Sequence, residues 1–273
     1  MLPAFVRLLG LRHTLTLRAK RVLYAGRGEP YRINGTTLRF VPGTRPVRLS
    51  YVTSSNDNVR YDALQMSLLS KGLNDGDTAI DIGAHCGQYA LPMAAFCGQS
   101  GKVVAFEPDP YARASLLRNI ALNPSVPSPK VEHLAVSDRI GEATLYSRGG
   151  NSQSSLAKSA VEFSPRDLSE SIKVELITLD DYLGQNGIDD PRWVKIDAEG
   201  AEVRILQGAR RLLRTGANIL CELHPYAWAE FGTSFDDLKT IVAGSGRRMR
   251  YLDEIAEIGD EPHYGTVILE RRI

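Results

Sequence analysis

The feature that most restricts how this chain can fold is the regular alternation of short aliphatic runs with segments of helical periodicity. The aliphatic runs are TAIDI (78–82), KVVAFEPD (102–109), VEHLAVS (131–137), WVKIDA (193–198) and NILCEL (218–223). Helical patterns such as PYARASLLRNIALN and EVRILQGARRLLR lie between them, and RMRYLDE and YGTVILER close the chain as two further strands. Strands that alternate with helices pair in parallel through right-handed crossovers. We therefore predict an α/β fold with a Rossmann-like, seven-stranded, mostly parallel sheet and helices on both faces.

The N-terminal part of the chain does not share this alternation. It is basic, with no acid before Glu29, and YRINGTTLRFVP places Asn34 and Gly35 between two short alternating runs. An Asn-Gly pair in that context predicts a β-hairpin with a primed turn. We divide the chain into an extension at residues 1–58, with a basic helix and a hairpin, and a main domain at residues 59–273.

Two interpretations fit the basic N-terminal segment. It can form a helix that contacts anionic lipid or a partner, or a helix packed on the domain with a solvated basic face. We favour the packed helix, because most amphipathic helices of soluble proteins are of that kind. No run in the sequence approaches the roughly 18 consecutive apolar residues that a membrane-spanning helix needs.

Charge and cysteine content argue against several classes of function. The chain has 33 Lys plus Arg against 32 Asp plus Glu, so it lacks the net positive field that gathers nucleic acid. We therefore expect no nucleic-acid partner. Cys86, Cys97 and Cys221 are odd in number and lack Cys-x-x-Cys spacing. Reduced thiols in the cytoplasm are the simplest expectation.

The turn after the first strand, TAIDIGAHCGQYALP, carries an acid where a phosphate site would carry none. A dinucleotide fold shows Gly-x-Gly-x-x-Gly and brings the backbone close to an anionic pyrophosphate. Here Asp81 precedes Gly83 and Gly87. A carboxylate at this turn repels a pyrophosphate but suits a ligand with an ammonium group, bound directly or through water. S-adenosylmethionine carries both an ammonium and a sulfonium.

A second acid supports this interpretation. Glu107 ends the second strand, where a carboxylate can accept hydrogen bonds from both ribose hydroxyls. Either acid alone is explained as an N-cap of the following helix. Together, in one strand-helix-strand unit, they favour a cationic ligand that contains adenosine over nicotinamide or flavin.

Five segments of the sequence, two of which include these acids, resemble a known family. DIGAHCGQYA, AFEPDP, LAVSD, ITLDDYL and VKIDAEGAEVRILQGA occur in this order and resemble the FkbM-like group of class-I S-adenosylmethionine-dependent methyltransferases, over about residues 60 to 225. VKIDAEGAE is the most specific segment. His85 stands where the wider class often has a third glycine, a departure that the FkbM-like group tolerates.

The resemblance implies a set of cofactor-binding residues. The turn from Asp81 to Gly87 would shape the methionine end, Glu107 would bind ribose, and the segment from Ala135 to Asp138 would lie by the adenine. For Asp138 a turn-forming role is the alternative. The predicted residues are Asp81, Gly83, Ala84, His85, Gly87, Glu107, Pro108, Ala135, Val136 and Asp138.

A second group of polar residues follows the fourth and fifth strands. Side chains alternate along a strand, so Lys195, Asp197 and Glu199 are expected on one side. Glu202 is interpreted as a stabilising acid at a helix N-terminus. The fifth strand brings Glu222 and His224 to the same edge of the sheet.

These residues form the predicted catalytic set of Asp197, Glu199, Glu222 and His224. Asp197 or His224 is predicted to be the base, and Glu199 and Glu222 would orient the acceptor. The same group could instead hold a divalent cation. We favour the metal-free version.

The sequence thus predicts an S-adenosylmethionine-dependent O-methyltransferase that acts on a hydroxyl of a small or medium acceptor, such as a sugar or a secondary metabolite. The oxygen specificity and the acceptor class come from the resemblance. The alternatives are an RNA 2′-O-methyltransferase, which would need a basic channel, and a non-catalytic scaffold that keeps the fold. The polar excursion at 147–171 is expected to shape acceptor choice.

Overall fold

The structure is a computed structural model that describes residues 18–33, 35–44, 57–147, 154–158, 170–252, 259 and 261–271, except for the side chains of residues 57–62. The strands are β1 Glu29–Ile33, β2 Thr36–Phe40, β3 Thr78–Ile82, β4 Lys102–Phe106, β5 Lys130–Glu132, β6 Ala135–Ser137, β7 Gly141–Ser147, β8 Glu170–Thr178, β9 Trp193–Ile196, β10 Asn218–Leu223, β11 Arg247–Tyr251 and β12 Gly265–Arg271. The helices are α1 at residues 18–23, α2 Asp57–Gly72, α3 Ala90–Cys97, α4 Pro110–Ala121, α5 Leu179–Gln185, α6 Glu202–Gln207 and α7 Phe235–Gly244.

The main sheet has seven strands in the order β11-β12-β10-β9-β3-β4-β5. The strands from β10 to β5 pair in parallel, whereas β12 is antiparallel to both of its neighbours. The chain builds from β3 toward β5 and later from β9 in the other direction, so the strand order reverses between β3 and β9. Ligands bind at such a reversal, beyond the carboxyl ends of the strands. The predicted Rossmann-like fold is confirmed.

Both faces of this sheet are buried. Ile80 of β3 packs in one apolar cluster with Leu206 of α6, and Ala79 packs in a second cluster with Met66 of α2. Because side chains alternate along a strand, Asp81 lies on the same face as Ala79. An apolar strand buried on both sides is typical of a parallel sheet, and an acid within it therefore stands out.

A second, three-stranded sheet changes the predicted strand pattern. Its order is β6-β8-β7, with β6 parallel and β7 antiparallel to β8. The single strand predicted over 131–137 is wrong, because β5 pairs with β4 in the main sheet and β6 pairs with residues 176–178 in the second sheet. Only the second half is buried along its length, and the choice of partner for each half depends on residues remote in sequence.

The helix predicted from EVRILQGARRLLR is also divided. Helix α6 ends at Gln207, and a separate 3-10 turn follows at Leu212–Arg214. At Gly208 the backbone passes close to β6, since a Cβ there would lie 2.2 Å from the Ser137 carbonyl oxygen. This close approach, rather than helix propensity, decides where the helix stops.

The N-terminal hairpin is confirmed and is tied to α4. Strands β1 and β2 are antiparallel, with Asn34 outside the described residues. The N–H groups of Arg39 and Val41 donate to the side-chain oxygens of Asn123 and Asn119, at 2.8 Å each. Backbone donors at the end of β2 and just after it are thereby satisfied by one side chain of α4 and one of the segment that follows α4, and the extension shares a core with the main domain.

The basic segment is described only from residue 18 onward, so residues 1–17 of the predicted basic helix lie outside the described part. In α1, Val22 and Leu23 are 80% and 70% exposed, and Lys20 forms an ion pair with Glu29. Among the described residues, no helix combines the length and the apolar character that crossing a bilayer requires. The choice between a packed helix and a lipid-binding helix stays a prediction.

Candidate active site

A pocket opens at the carboxyl ends of β3, β4 and β9, beside the reversal of strand order. It encloses about 910 Å³ of open space, part of it continuous with solvent. The segments after these three strands form its walls, and residues 154–156 cover another side. The pocket therefore lies where the topology of a doubly wound sheet places a ligand.

The turn after β3 forms one wall and requires glycine. The N–H groups of Gly83 and Ala84 donate to the Phe106 carbonyl, at 3.0 Å each. Gly83 has a φ of 79°, and a Cβ there would lie 1.8 Å from the Asp197 carbonyl oxygen. His85 also has a positive φ, 48°. Gly83 therefore permits both the left-handed turn and the close approach of the segment after β9.

Glu107 lines the pocket at the end of β4. Its Oε2 accepts the His85 N–H at 2.6 Å and its Oε1 accepts the Asp109 N–H at 2.9 Å. Burial raises the pKa of Glu107 to about 7, against the opposing effect of these two amides. Each oxygen keeps a further lone pair that can accept a hydroxyl, so the carboxylate is held in place for a diol such as ribose.

Asp109 is a pocket residue that the sequence analysis did not select. It caps α4 by accepting the Tyr111 N–H at 2.8 Å, and its other oxygen accepts the hydroxyls of Ser147 and Ser154 at 2.6 and 2.7 Å. The Asp-Pro pair before a helical pattern could have identified it as an N-cap. Its bonds to β7 and to residue 154 join part of the 147–171 excursion to the pocket.

Asp81 lies beneath the pocket rather than on its lining. It is 1% exposed, and neither carboxylate oxygen has a hydrogen-bond partner among the described residues. Burial raises the pKa of Asp81 to about 6, although the Lys195 ammonium on the neighbouring strand and, more weakly, the nearby Ala90 N–H oppose this effect. A buried polar group without a partner is uncommon in folded proteins. An ammonium group or a bound water is the kind of partner that this carboxylate lacks.

The end of β9 carries a buried lysine paired with an acid. Lys195 is 2% exposed; its Nζ donates to Asp197 Oδ2 at 2.9 Å and lies 4.4 Å from the ring centroid of Tyr89. Burial by itself raises the pKa of Asp197, but Lys195 and His224 hold it below its usual value. Asp197 is therefore an ionised, half-buried carboxylate on the pocket wall.

Glu202 organises the turn after β9, a larger role than the helix-stabilising one predicted for it. It is fully buried and accepts hydrogen bonds from the Gly200 N–H at 2.7 Å, Trp228 Nε1 at 2.8 Å and His224 Nδ1 at 2.9 Å. Three donors on one buried carboxylate fix the imidazole of His224 in a single orientation. The sequence shows Glu202 but does not show that Trp228 and His224 meet it.

His224 presents its second nitrogen to the two acids of the pocket wall. Its Nε2 lies 3.6 Å from Glu199 Oε2 and 4.0 Å from Asp197 Oδ1. Burial by itself lowers the pKa of His224, but the hydrogen bond and charge of Glu202, with the charges of Glu199 and Asp197, raise it to about 10. Ligand atoms of Asp197, Glu199 and His224 lie within 4.8 Å of one another, so these three could hold a metal ion.

Two tyrosines border this acidic cluster. The Tyr226 hydroxyl donates to Glu199 Oε2 at 3.1 Å, and the Tyr264 hydroxyl donates to Glu222. Burial raises the pKa of both Glu199 and Glu222 to about 7. Both tyrosine rings meet the His224 ring edge to face, with centroids 5.8 and 5.4 Å away. The tyrosines are partly exposed, so they present aromatic surface beside this cluster.

The structure gathers most of the predicted residues around one pocket. The predicted residues on its lining are Gly83, Ala84, His85, Glu107, Pro108, Ala135, Val136, Asp197 and Glu199. Glu222 and His224 are not on the lining, although Nε2 of His224 lies within 4.0 Å of carboxylate oxygens of both Asp197 and Glu199.

Gly87 and Asp138 lie elsewhere. Gly87 has a φ of 86° and packs against α4, where a Cβ would meet Leu116 Cδ1 at 2.6 Å. The Asp138 carboxylate faces Arg139 and Arg204 at 3.2 and 3.8 Å. This placement fits the turn-forming alternative for Asp138 better than a contact with adenine, because β6 ends just before it and the chain turns toward β7.

Comparisons with known proteins identify the family. Residues 81–251 match the Methyltransferase FkbM domain, which is more than half of the chain. Methyltransferase sdnD of Sordaria araneosa is 29% identical over 153 residues, which cover 47% of this chain and 59% of sdnD.

Solved structures of low sequence identity resemble parts of the chain. A methyltransferase FkbM from Methylobacillus flagellatus KT is 14% identical with a TM-score of 0.48, covering 81% of this chain and 56% of that one. The O-methyltransferase from Bacillus cereus in complex with SAH is 14% identical with a TM-score of 0.44, covering 82% and 90%. The chain thus spans less than two thirds of the length of sdnD and of the M. flagellatus protein. On the match over residues 81–251, this chain belongs to the FkbM methyltransferase family.

Proposed function

We propose that this methyltransferase uses S-adenosylmethionine to methylate a hydroxyl oxygen of a small or medium acceptor, such as a sugar. One observation carries the proposal: a single pocket extends from Glu107 and the turn after β3 to the acidic wall of Asp197 and Glu199. The first end suits a nucleoside with a cationic tail. The second end suits an acceptor that loses a proton.

The residues at the first end fit this cofactor. Glu107 is fixed by two backbone amides and retains capacity for a ribose diol. Asp81 is a buried carboxylate with no hydrogen-bond partner in the described part of the chain, close to the glycine turn that a methionine-like tail would cross. A pyrophosphate there would face Glu107 and Asp197 on the lining, with Asp81 buried beneath them, and would be repelled. The donor set therefore favours an adenosine-containing cation over a dinucleotide.

The second end neutralises charge and orients the acceptor. A sulfonium donor supplies an activated methyl group, and the acceptor hydroxyl loses its proton as the methyl is transferred, so the main task of the protein is placement and proton removal. Asp197 is an ionised acceptor on the pocket wall, and Glu199 is fixed by Tyr226 and by the bond from the Ser155 hydroxyl to its carbonyl, at 2.7 Å.

The charges of this cluster also restrict the acceptor. Asp197 is ionised beside the two cations Lys195 and His224, whereas burial raises the pKa of Glu199 and Glu222 to about 7 and Glu202 is occupied by the imidazole. Carboxylates accept hydrogen bonds from hydroxyls but repel phosphates. A neutral polyol therefore fits better than an RNA backbone. Binding of RNA that weakens steeply with salt would instead support the RNA 2′-O-methyltransferase alternative.

The test replaces Asp81 with asparagine, which keeps the shape and removes the charge. Loss of a charge-assisted contact worth about 1.5–3 kcal/mol should weaken S-adenosylmethionine binding by roughly 10-fold to 150-fold in calorimetry. The matched control is Asp189→Asn, at an exposed position, which should bind as the parent does. Unchanged affinity in Asp81→Asn would refute the cofactor assignment, and a methyl-release assay against a panel of glycans tests the acceptor class.

A further inference from the structure

His224 has the surroundings of a metal ligand. Its side chain is 3% exposed, and its Nδ1 is held at 2.9 Å by the fully buried carboxylate of Glu202. Its Nε2 has no hydrogen-bond partner within 3.5 Å among the described residues. Histidines that bind metals almost always use the second ring nitrogen in this way, with a buried carboxylate setting the tautomer and the orientation.

The atoms around Nε2 have the spacing of a coordination shell. Glu199 Oε2 lies 3.6 Å away and Asp197 Oδ1 4.0 Å away, and the three ligand atoms lie within 4.8 Å of one another. In an octahedral site with bonds of about 2.1 Å, adjacent ligands are about 3 Å apart and opposite ligands about 4.2 Å apart. Shifts of a few tenths of an ångström to about 1 Å in these side chains would bring all three atoms to one ion.

The outer residues complete the site. Lys195 holds the other oxygen of Asp197 and Tyr226 donates to Glu199, so each carboxylate is oriented by a separate donor. Asp197 and Glu199 also line the pocket, whereas His224 lies behind them. Any remaining coordination positions would therefore face the space where the acceptor binds.

We propose that Asp197, Glu199 and His224 form a binding site for one divalent metal ion, which displaces the proton from Nε2 of His224 as it binds, with Glu202 as the residue that positions the histidine. One imidazole and two carboxylates suit a first-row ion such as Mn²⁺ better than Mg²⁺, which favours all-oxygen ligands, or structural Zn²⁺, which favours thiolates and imidazoles. Metal binding does not depend on the proposed function; only its role in methyl transfer rests on it.

In that role the ion takes over the acidifying step. A hydroxyl oxygen bound to a divalent cation has a lowered pKa, so the O–H bond breaks with its electron pair left on oxygen and its proton released to water. The oxygen then forms its bond to the methyl carbon, and the carbon–sulfur electron pair stays on sulfur, which becomes a neutral thioether. Asp197 and His224 act as ligands in this sequence rather than as the base.

The experiment measures metal binding without turnover. The full chain, stripped with a chelator, is titrated with Mn²⁺ while the electron paramagnetic resonance signal of free Mn²⁺ reports binding. Glu199→Gln and Asp197→Asn keep the side-chain shapes and remove one charged ligand each. The matched control is Glu142→Gln on β7, an exposed acid far in sequence from the site. Urea unfolding and S-adenosylmethionine affinity are measured on every variant.

The expected result is one saturable Mn²⁺ site per parent chain, weakened about 10-fold or more in both site variants and unchanged in Glu142→Gln. Absence of saturable Mn²⁺ binding in the parent would overturn the proposal and leave His224 as a buried imidazolium that neutralises the acids. Equal binding in the parent and in both site variants would overturn it as well. Saturable Mn²⁺ binding together with absent S-adenosylmethionine binding would refute the proposed function and support the metal site.

Discussion

Replacing Gly83 with alanine is the sharpest test of how the turn after β3 builds the site. Gly83 has a φ of 79°, and a Cβ at this position would lie 1.8 Å from the Asp197 carbonyl oxygen. Gly76 offers a matched control, because its φ is 92° and a Cβ there would meet no atom of the described residues within 4 Å. Both substitutions place an L-residue in the left-handed region, but only Gly83→Ala adds a collision.

Comparing the two variants separates the cost of the left-handed backbone from the cost of the collision. A left-handed backbone costs an L-residue about 1–2 kcal/mol, which is the whole loss expected for Gly76→Ala. The collision at residue 83 is with backbone, which cannot rotate away, so β9 or the turn must move. Overpacking of this kind costs about 1–3 kcal/mol more. The unfolding free energy of Gly83→Ala should therefore fall by about 2–5 kcal/mol.

Urea unfolding of both variants measures this difference, provided that the dependence of the free energy on denaturant is unchanged. The collision would displace the pocket wall at Gly83 or at Asp197. Gly83→Ala should therefore also bind S-adenosylmethionine at least 10-fold more weakly, whereas Gly76→Ala should bind it normally. Equal losses of stability in the two variants, together with normal cofactor binding in Gly83→Ala, would show that the close approach is not needed for the site.

Two further predictions concern buried carboxylates. Burial raises the pKa of Glu107 to about 7, so S-adenosylmethionine affinity should increase as pH rises through about 7, and calorimetry across pH should find this dependence lost in Glu107→Gln. The pKa of Glu107 is higher in the folded than in the unfolded chain, so its contribution to the stability of the ligand-free protein is present at low pH and is lost as pH rises toward 7. If the difference in unfolding free energy between the parent and Glu107→Gln were the same above pH 7 as at low pH, this reasoning would be contradicted. Glu202→Gln should lower the unfolding free energy by about 3 kcal/mol in urea, because a buried ion pair loses one partner, and should lower the His224 pKa seen by nuclear magnetic resonance. An unchanged His224 pKa in that variant would contradict the assigned contact.

Much of the fold and part of the site can be predicted from local patterns. The alternation of aliphatic runs and helical segments predicts a parallel sheet, because strands of such a sheet are buried on both faces and have nearly continuous apolar sequences. Acids at strand ends, such as Asp81, Glu107 and Asp197, contrast with those apolar runs, and parallel strands bring their carboxyl ends to one edge. The sequence therefore predicts both the pocket and its acidic character.

Contacts between residues remote in sequence cannot be predicted in that way. The strand predicted over 131–137 is divided because residues 135–137 pair with β8, and α6 ends at Gln207 because Gly208 meets β6. Helix and strand propensities depend on residues close together in sequence, so they predict neither the pairing with β8 nor the contact with β6.

The sequence by itself determined the class of fold, the order of its elements, the position of the pocket and the set of acids around it, since these depend on periodicity and on residues near one another along the chain. Only the tertiary structure decided that Glu202 holds His224 and that Asp81 is buried with no hydrogen-bond partner among the residues that the structure describes. Those facts depend on how α6, the segment after β10 and the main sheet pack together. Hydrogen bonding and burial of a side chain are properties of its neighbours in space, which the order of residues does not specify one by one.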